Sequence, residues 1–259
     1  MTSPKTCPIG VFDSGVGGIS VLKELRRQMP AEDYLFFGDN QNAPYGTKSP
    51  TEVLSLVRAG VERLLSHNAK EIVIACNTAT AVAADEIRRL YPAVPIVAIE
   101  PAIKPAVLSA SGKRVLLMAT PLTLQTERVS RLSRRFESAA QIEVLPCDGL
   151  VELIEDGHLD DETLDAFLCR LFSRLSTTPD AVVLGCTHYP HVLPALRRYF
   201  GDAVTFYDGG AGCARRARAL LEERDLLRGE KRDGSVTFFF SRDNVATRTL
   251  AHRLLNSET

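Results

Sequence analysis

Short apolar runs alternate with longer stretches of helical period along the whole chain. Runs rich in Val, Ile, Leu and Phe stand at 9–12, 34–37, 72–75, 94–98, 114–119, 142–145, 181–184, 204–207 and 236–240. Between them, ISVLKELRRQM (19–29) puts Ile19, Leu22, Leu25 and Met29 on one helical face. ALRRYF (195–200) and CARRARALLEERDLL (213–227) carry the same period. The strands are continuously apolar rather than alternating, which indicates burial on both faces. The pattern therefore predicts an α/β protein with mostly parallel sheets.

Two of the apolar runs end in cysteine. IVIACNTATA (72–81) reaches Cys76 and then turns polar at Asn77 and Thr78. VVLGCTHYP (182–190) reaches Cys186 and then Thr187 and His188, 110 residues further on. Each cysteine also follows an earlier strand that ends in a polar turn. Asp13 precedes Cys76 by 63 residues, and Thr120 precedes Cys186 by 66. This faint repeat predicts two similar α/β domains related by pseudo-twofold symmetry. The expected division is 1–99 plus 207–259 for the first and 100–206 for the second, with the first crossing in EPAIKPAVLSASGKR (100–114). The return of the last stretch to the first domain rests partly on the resemblance given below. Ligands of open α/β sheets sit at the carboxyl ends of strands, so two facing halves would bring both cysteines into one cleft.

A thiolate is a base as well as a nucleophile, and a thiol of pKa near 8.5 is an acid that neighbours can tune. Two such groups on opposite faces of a stereocentre can remove a proton from one side and return one to the other. A cysteine hydrolase needs only one and leaves the second unexplained. Asn77-Thr78 and Thr187-His188 read as starts of helices, where capping and the grip on a carboxylate use the same free N–H groups. FDSGVGG (12–18) opens a helix after the first strand, and its glycines allow a tight turn and close backbone approach to a ligand. Its spacing is not that of a dinucleotide fingerprint. Taken alone, Asp13-Ser14 reads equally well as a helix cap. GDNQNAPYGTKSP (38–50) reads as a loop over the cleft, with Tyr45 and Gly46 available to a ligand. His188, two residues from Cys186, is a candidate acid/base partner. The other four histidines read as surface positions. Glu152, in GLVELIEDG (149–157), is not singled out by its pattern.

Composition narrows the class. The net charge of −1 offers no field for nucleic acid or an anionic membrane surface. No run approaches the ~20 apolar residues of a membrane span. The opening MTSPKTCPIGVFDSG carries no apolar leader region, so a cytoplasmic location is expected. The six cysteines are scattered, with no C-x-x-C pair and no zinc-like His spacing, so reduced thiols and no metal are expected.

IGVFDSGVGGISVL, APYGTK, IVIACNTATA, IEPA and VVLGCTHYP, in this order from residue 9 onward, together resemble the glutamate racemase family, cofactor-independent enzymes of bacterial cell-wall synthesis. The resemblance implies interconversion of L- and D-glutamate with no cofactor, supplying D-glutamate for peptidoglycan, in a homodimer. It implies that Cys76 and Cys186 are the two catalytic thiols, with Asp13 assisting the first, His188 the second, and Glu152 a further assisting carboxylate. It places Asp13, Ser14, Tyr45, Gly46, Asn77, Thr78, Thr187 and His188 at the substrate, with Thr120 and Thr123 nearby. The chain departs from the family in three places: PHV (190–192) where a leucine pair is more usual, YDGGAG (207–212) without the expected serine, and FFFSRDN (238–244) without the expected Thr-Gly-Asp turn. An aspartate racemase, or a binding module on the same scaffold, are the readings the residues leave open.

Overall fold

The computed structural model describes residues 4–109 and 114–257. Among these residues the strands form two wholly parallel sheets. The first holds β1 (Ile9–Asp13), β2 (Tyr34–Gly38), β3 (Glu71–Ile74), β4 (Ile96–Ala98) and β9 (Val236–Phe240), in the order β4-β3-β1-β2-β9. The second holds β5 (Arg114–Ala119), β6 (Gln141–Pro146), β7 (Ala181–Leu184) and β8 (Thr205–Asp208), in the order β6-β5-β7-β8. The predicted apolar runs fall on these strands. The sheets also share a pattern. In each, the strand that ends in a polar turn lies beside the strand that leads to a cysteine, β1 beside β3 and β5 beside β7. Strand β8 continues to Asp208, two residues past the boundary expected at 206.

The helices are α1 (Ile19–Gln28), α2 (Pro50–Ser66), α3 (Asn77–Leu90), α4 (Ile103–Ser109), α5 (Pro121–Gln125), α6 (Glu127–Arg134), α7 (Leu150–Glu155), α8 (Glu162–Phe172), α9 (Leu193–Phe200), α10 (Gly210–Glu223) and α11 (Val245–Asn256). Local chemistry explains their starts. Ser49 caps α2 by accepting from Glu52 N, with Pro50 as first helical residue, and Thr120 with Pro121 does the same for α5. The helical pattern read over 213–227 stops at Glu223, and Asp225 takes a left-handed backbone (φ 54°) that ends it. Buried Ile19, Leu22 and Leu25 face the core, and α10 and α11 pack on α1. In this way the chain comes back from the second sheet, and β9 adds to the edge of β2.

A buried ion pair fastens that return. Lys70 Nζ lies 2.6 Å from Glu32 Oε2 and also donates to Lys5 O (2.7 Å) and Leu226 O (3.0 Å). Arg228 N donates to Glu32 Oε1 at 2.8 Å. Every proton of the ammonium is used, which offsets much of its desolvation. Glu71, the first residue of β3, is treated differently. It is fully buried and its carboxyl oxygens have no hydrogen-bond partner among the described residues. Burial pushes its acid up to about 9, against the pull of Lys70. The folded chain therefore holds a proton that the unfolded chain loses above the ordinary carboxylate range. Stability falls as pH rises through that range and stops falling above about 9. Glu71→Gln should leave stability nearly unchanged at pH 4.5 and raise it by on the order of 3 kcal/mol at pH 8. Thermal unfolding at the two pH values checks this, and equal shifts at both would contradict it.

Candidate active site

At the end of β1 the chain makes a tight polar turn. Asp13 is fully buried, and its Oδ1 accepts from Gly15 N at 2.9 Å, so the side chain closes its own turn. Cys76 follows β3, in extended backbone (φ −68°, ψ 123°), and is itself the N-cap of α3. Its sulfur accepts from Ala79 N at 3.4 Å, and Ser14 Oγ lies 3.3 Å away. Asn77 and Thr78 are thus the first helical residues, and the positive end of α3 points at a thiol. Burial, then the charge of Asp13, push the Cys76 thiol up to about 12, while the Ser14 and Ala79 bonds pull it down. Buried in this way, Cys76 keeps its thiol proton at neutral pH.

The second cysteine is built otherwise. Strand β7 ends at Leu184, and Gly185 comes so close to β5 that a Cβ there would meet Met118 O at 2.7 Å. Cys186 Sγ lies 3.7 Å from His188 Nδ1, and His188 Nε2 lies 2.6 Å from Glu155 Oε1. Burial alone would push this imidazole down. The bonds and charges of Cys186 and Glu155 outweigh it and hold His188 well above its usual value. Thr187 and His188 do not start an α-helix as expected. A 3-10 turn (Tyr189–Val192) intervenes before α9. The Thr187 hydroxyl, freed from capping, donates to Asp13 Oδ2 at 3.0 Å and so joins the two halves. Asp13 is raised by burial to about 6, against the lowering pull of His188.

Glycines 15 and 17 serve side chains of the opposite half. A Cβ on Gly15 would stand 1.9 Å from Glu155 Oε1, and one on Gly17 would stand 2.3 Å from His188 Nδ1. Glu155 Oε1 also accepts from Val16 N at 2.7 Å. The carboxylate that meets His188 is Glu155. Glu152, expected as an assisting carboxylate, is exposed on α7 and makes no hydrogen bond to Cys76, Cys186, Asp13 or His188 among the described residues. Buried Leu150, Val151 and Ile154 define the inner face of α7, and at 100° per residue Glu155 stands nearer that face than Glu152. That periodicity was the signal available in the sequence. His191, expected at the surface, is buried and donates from Nε2 to Gly17 O at 3.1 Å.

Beside the thiols lies a hydroxyl cluster made by both halves. Thr78 Oγ1 is 3.0 Å from Thr120 Oγ1 and 3.0 Å from Thr123 Oγ1, and these two are 2.9 Å apart. Gly46 packs on it, since a Cβ would fall 2.7 Å from Thr120 Cβ. Tyr45 is buried and donates to Asp39 Oδ2 at 2.6 Å. Burial and that bond, then the charges of Asp39, Cys76 and Asp13, push its phenol up, so it stays protonated beside the thiol. The Asn77 amide is buried with neither its oxygen nor its nitrogen bonded among the described residues, which marks it as available to a ligand. Two cavities flank the cleft without reaching either thiol. One of about 280 Å³ touches Asn77 and Thr123, and one of about 740 Å³ touches Pro44 and Glu155. Among the described residues no group of three or more His, Cys, Asp or Glu could hold a metal ion.

The arrangement can carry a proton in from one sheet and out to the other. Comparison with known proteins agrees in family. Residues 9–217 match the Asp/Glu/hydantoin racemase family. A glutamate racemase of Clostridium botulinum is 42% identical over 250 residues, covering 96% of this chain and 97% of the relative. The crystal structure of glutamate racemase from Francisella tularensis in complex with D-glutamate superposes with a TM-score of 0.84 at 28% identity, covering 98% of this chain and 95% of that one. That of the Escherichia coli glutamate racemase, in complex with L-glutamate and the activator UDP-MurNAc-Ala, gives 0.82 at 34% identity, covering 94% and 92%. With two parallel α/β sheets and a near-full-length match, the chain belongs to the glutamate racemase family of isomerases.

Proposed function

We propose that this chain racemises glutamate without a cofactor, by proton transfer between Cys76 and Cys186, in a cleft between residues 1–99 with 207–259 and residues 100–206. The observation that carries the proposal is the pairing of each buried thiol with its own ionisable neighbour: Asp13 for Cys76, and His188 for Cys186. One thiolate takes the α-proton, and the S–H bond forms as the Cα–H bond breaks. The carbanion then takes the proton of the opposite thiol, which is left as thiolate. His188, protonated at neutral pH, faces Cys186 with a positive charge and a proton to give, and so acts as the acid on that side. Asp13, ionised above about pH 6, accepts a proton on the Cys76 side. The carbanion needs stabilisation without an electron sink. The N-terminal N–H groups of α3, the Asn77 amide and the Thr78–Thr120–Thr123 hydroxyls are fixed donors in a water-poor cleft, suited to the substrate's carboxylates.

Glutamate is favoured as substrate by the names and bound ligands of the relatives. A supply of D-glutamate for peptidoglycan and a homodimer are what the motif resemblance implies, and a cytoplasmic site of action remains the expectation from the sequence. Among the described residues no helix is long and apolar enough to cross a membrane.

Cys76→Ala and Cys186→Ala should each lower racemisation in both directions about a thousandfold or more. Polarimetry from L- and from D-glutamate checks this, and near-normal activity in either variant sinks the two-thiol scheme. Glu155→Gln should lower kcat/KM roughly thirtyfold, the worth of a charge-assisted hydrogen bond of ~2 kcal/mol, while Glu152→Gln stays near wild type. The reverse ranking would assign the assisting role to Glu152. Protonation of Asp13 should impose an acid limb on kcat/KM near pH 6, with activity lost as pH falls, and Asp13→Asn should remove that limb along with most activity. An unchanged limb in Asp13→Asn would assign it to another group.

A further inference from the structure

His191 stands in the sequence PHV (190–192), and neither thiol uses it. It is buried in the 3-10 turn after Cys186, and its Nε2 lies 3.1 Å from Gly17 O in the other half. A carbonyl only accepts, so Nε2 carries the ring proton. Nδ1 is bare and has no hydrogen-bond partner among the described residues. Burial, then the neighbouring positive charge of His188, push His191 down to about 3, so it is a neutral donor at every physiological pH.

The neighbour Ser20 gives this bond its consequence. Ser20 Oγ is 2.9 Å from Gly17 O and 2.9 Å from Thr187 O. A hydroxyl has one proton and can donate to one of these carbonyls at a time. With Gly17 O already served by His191, the Ser20 proton is free for Thr187 O, in the opposite half. Thr187 in turn donates its hydroxyl to Asp13, and Gly17 lies against the His188 ring.

We propose that His191 is a positioning residue, a latch that holds the Gly15–Gly17 turn of one half against the Cys186–His188 turn of the other, directly through Gly17 and indirectly by releasing Ser20 to Thr187. A leucine at this position fills similar space and supplies no donor. The kinetic part of the proposal rests on the racemase reading, while the latch itself does not.

The test compares His191→Leu with His191→Gln, whose amide nitrogen reaches the position of Nε2. Leu should lower kcat/KM for glutamate about tenfold, the worth of one buried hydrogen bond, and Gln should recover most of it. In the absence of substrate, iodoacetamide should alkylate Cys76 and Cys186 several-fold faster in the Leu variant than in wild type, with Gln again near wild type, as read by mass spectrometry. A Leu variant with wild-type kcat/KM and alkylation rates, whatever its melting temperature, overturns the proposal. So does a Gln variant no better than Leu. If Leu fails to fold, His191→Asn, too short to reach Gly17 O, takes its place, and equal behaviour of Asn and Gln overturns the latch. If the wild-type protein does not racemise glutamate, the proposed function fails, and the alkylation rates still decide the latch.

Discussion

The hydrogen bond from Thr187 Oγ1 to Asp13 Oδ2 spans the gap between the two sheets, and the geometry of the cleft depends on it. Asp13 is the last residue of β1, and Thr187 follows Cys186 directly. Fixing these two fixes the ends of two strands that belong to different sheets. Cys76 is tied to the same point through Ser14, and Cys186 through His188 and Glu155 to Val16. The glycines of the β1–α1 turn are needed because side chains from the other half occupy the space their Cβ atoms would take. Sheet topology supplies the two strand ends, and a few buried polar bonds set the distance between them. In a water-poor site each bond counts for more than it would at the surface.

Burial gives the two thiols different electrostatic surroundings. On one side desolvation, and then the anionic neighbour Asp13, favour the protonated Cys76. On the other side a histidine held positive by a carboxylate faces Cys186. A racemisation is symmetric in its overall thermodynamics, yet this site sets a protonated Cys76 beside a carboxylate on one side and Cys186 beside an imidazolium on the other. The proposed two-thiol scheme needs an asymmetry of this kind, since two thiols in the same state could not pass a proton from one face to the other. The scaffold pays for this with buried polar groups, such as the open Asn77 amide, that a substrate is suited to complete.

Much of this was legible in the chain. Cys76 and Cys186 stand out because fully buried parallel strands read as unbroken apolar runs, and a polar break after such a run marks a strand's carboxyl end. The repeat was legible for the same reason, and it reappears as the matched pairs β1–β3 and β5–β7. What local pattern did not report were contacts made with the opposite half. Glu152 and Glu155 share one short helix, and it is Glu155 that His188 meets. Thr187 resembles a helix cap until Asp13 takes its hydroxyl. His191 resembles a surface histidine until the Gly17 carbonyl covers it. Local pattern reports a residue's own element, and cross-half bonds leave no period in the sequence.

The most direct measurement is the early time course of the wild-type protein with L-glutamate in D₂O, with no cofactor added, following α-deuterium separately in the L and D pools. Two thiols on opposite faces predict that D-glutamate forms with solvent deuterium at its α-carbon, while the remaining L-glutamate keeps its proton. Equal labelling of both pools from the start, D-glutamate that retains the original proton, or no exchange at all would contradict the account.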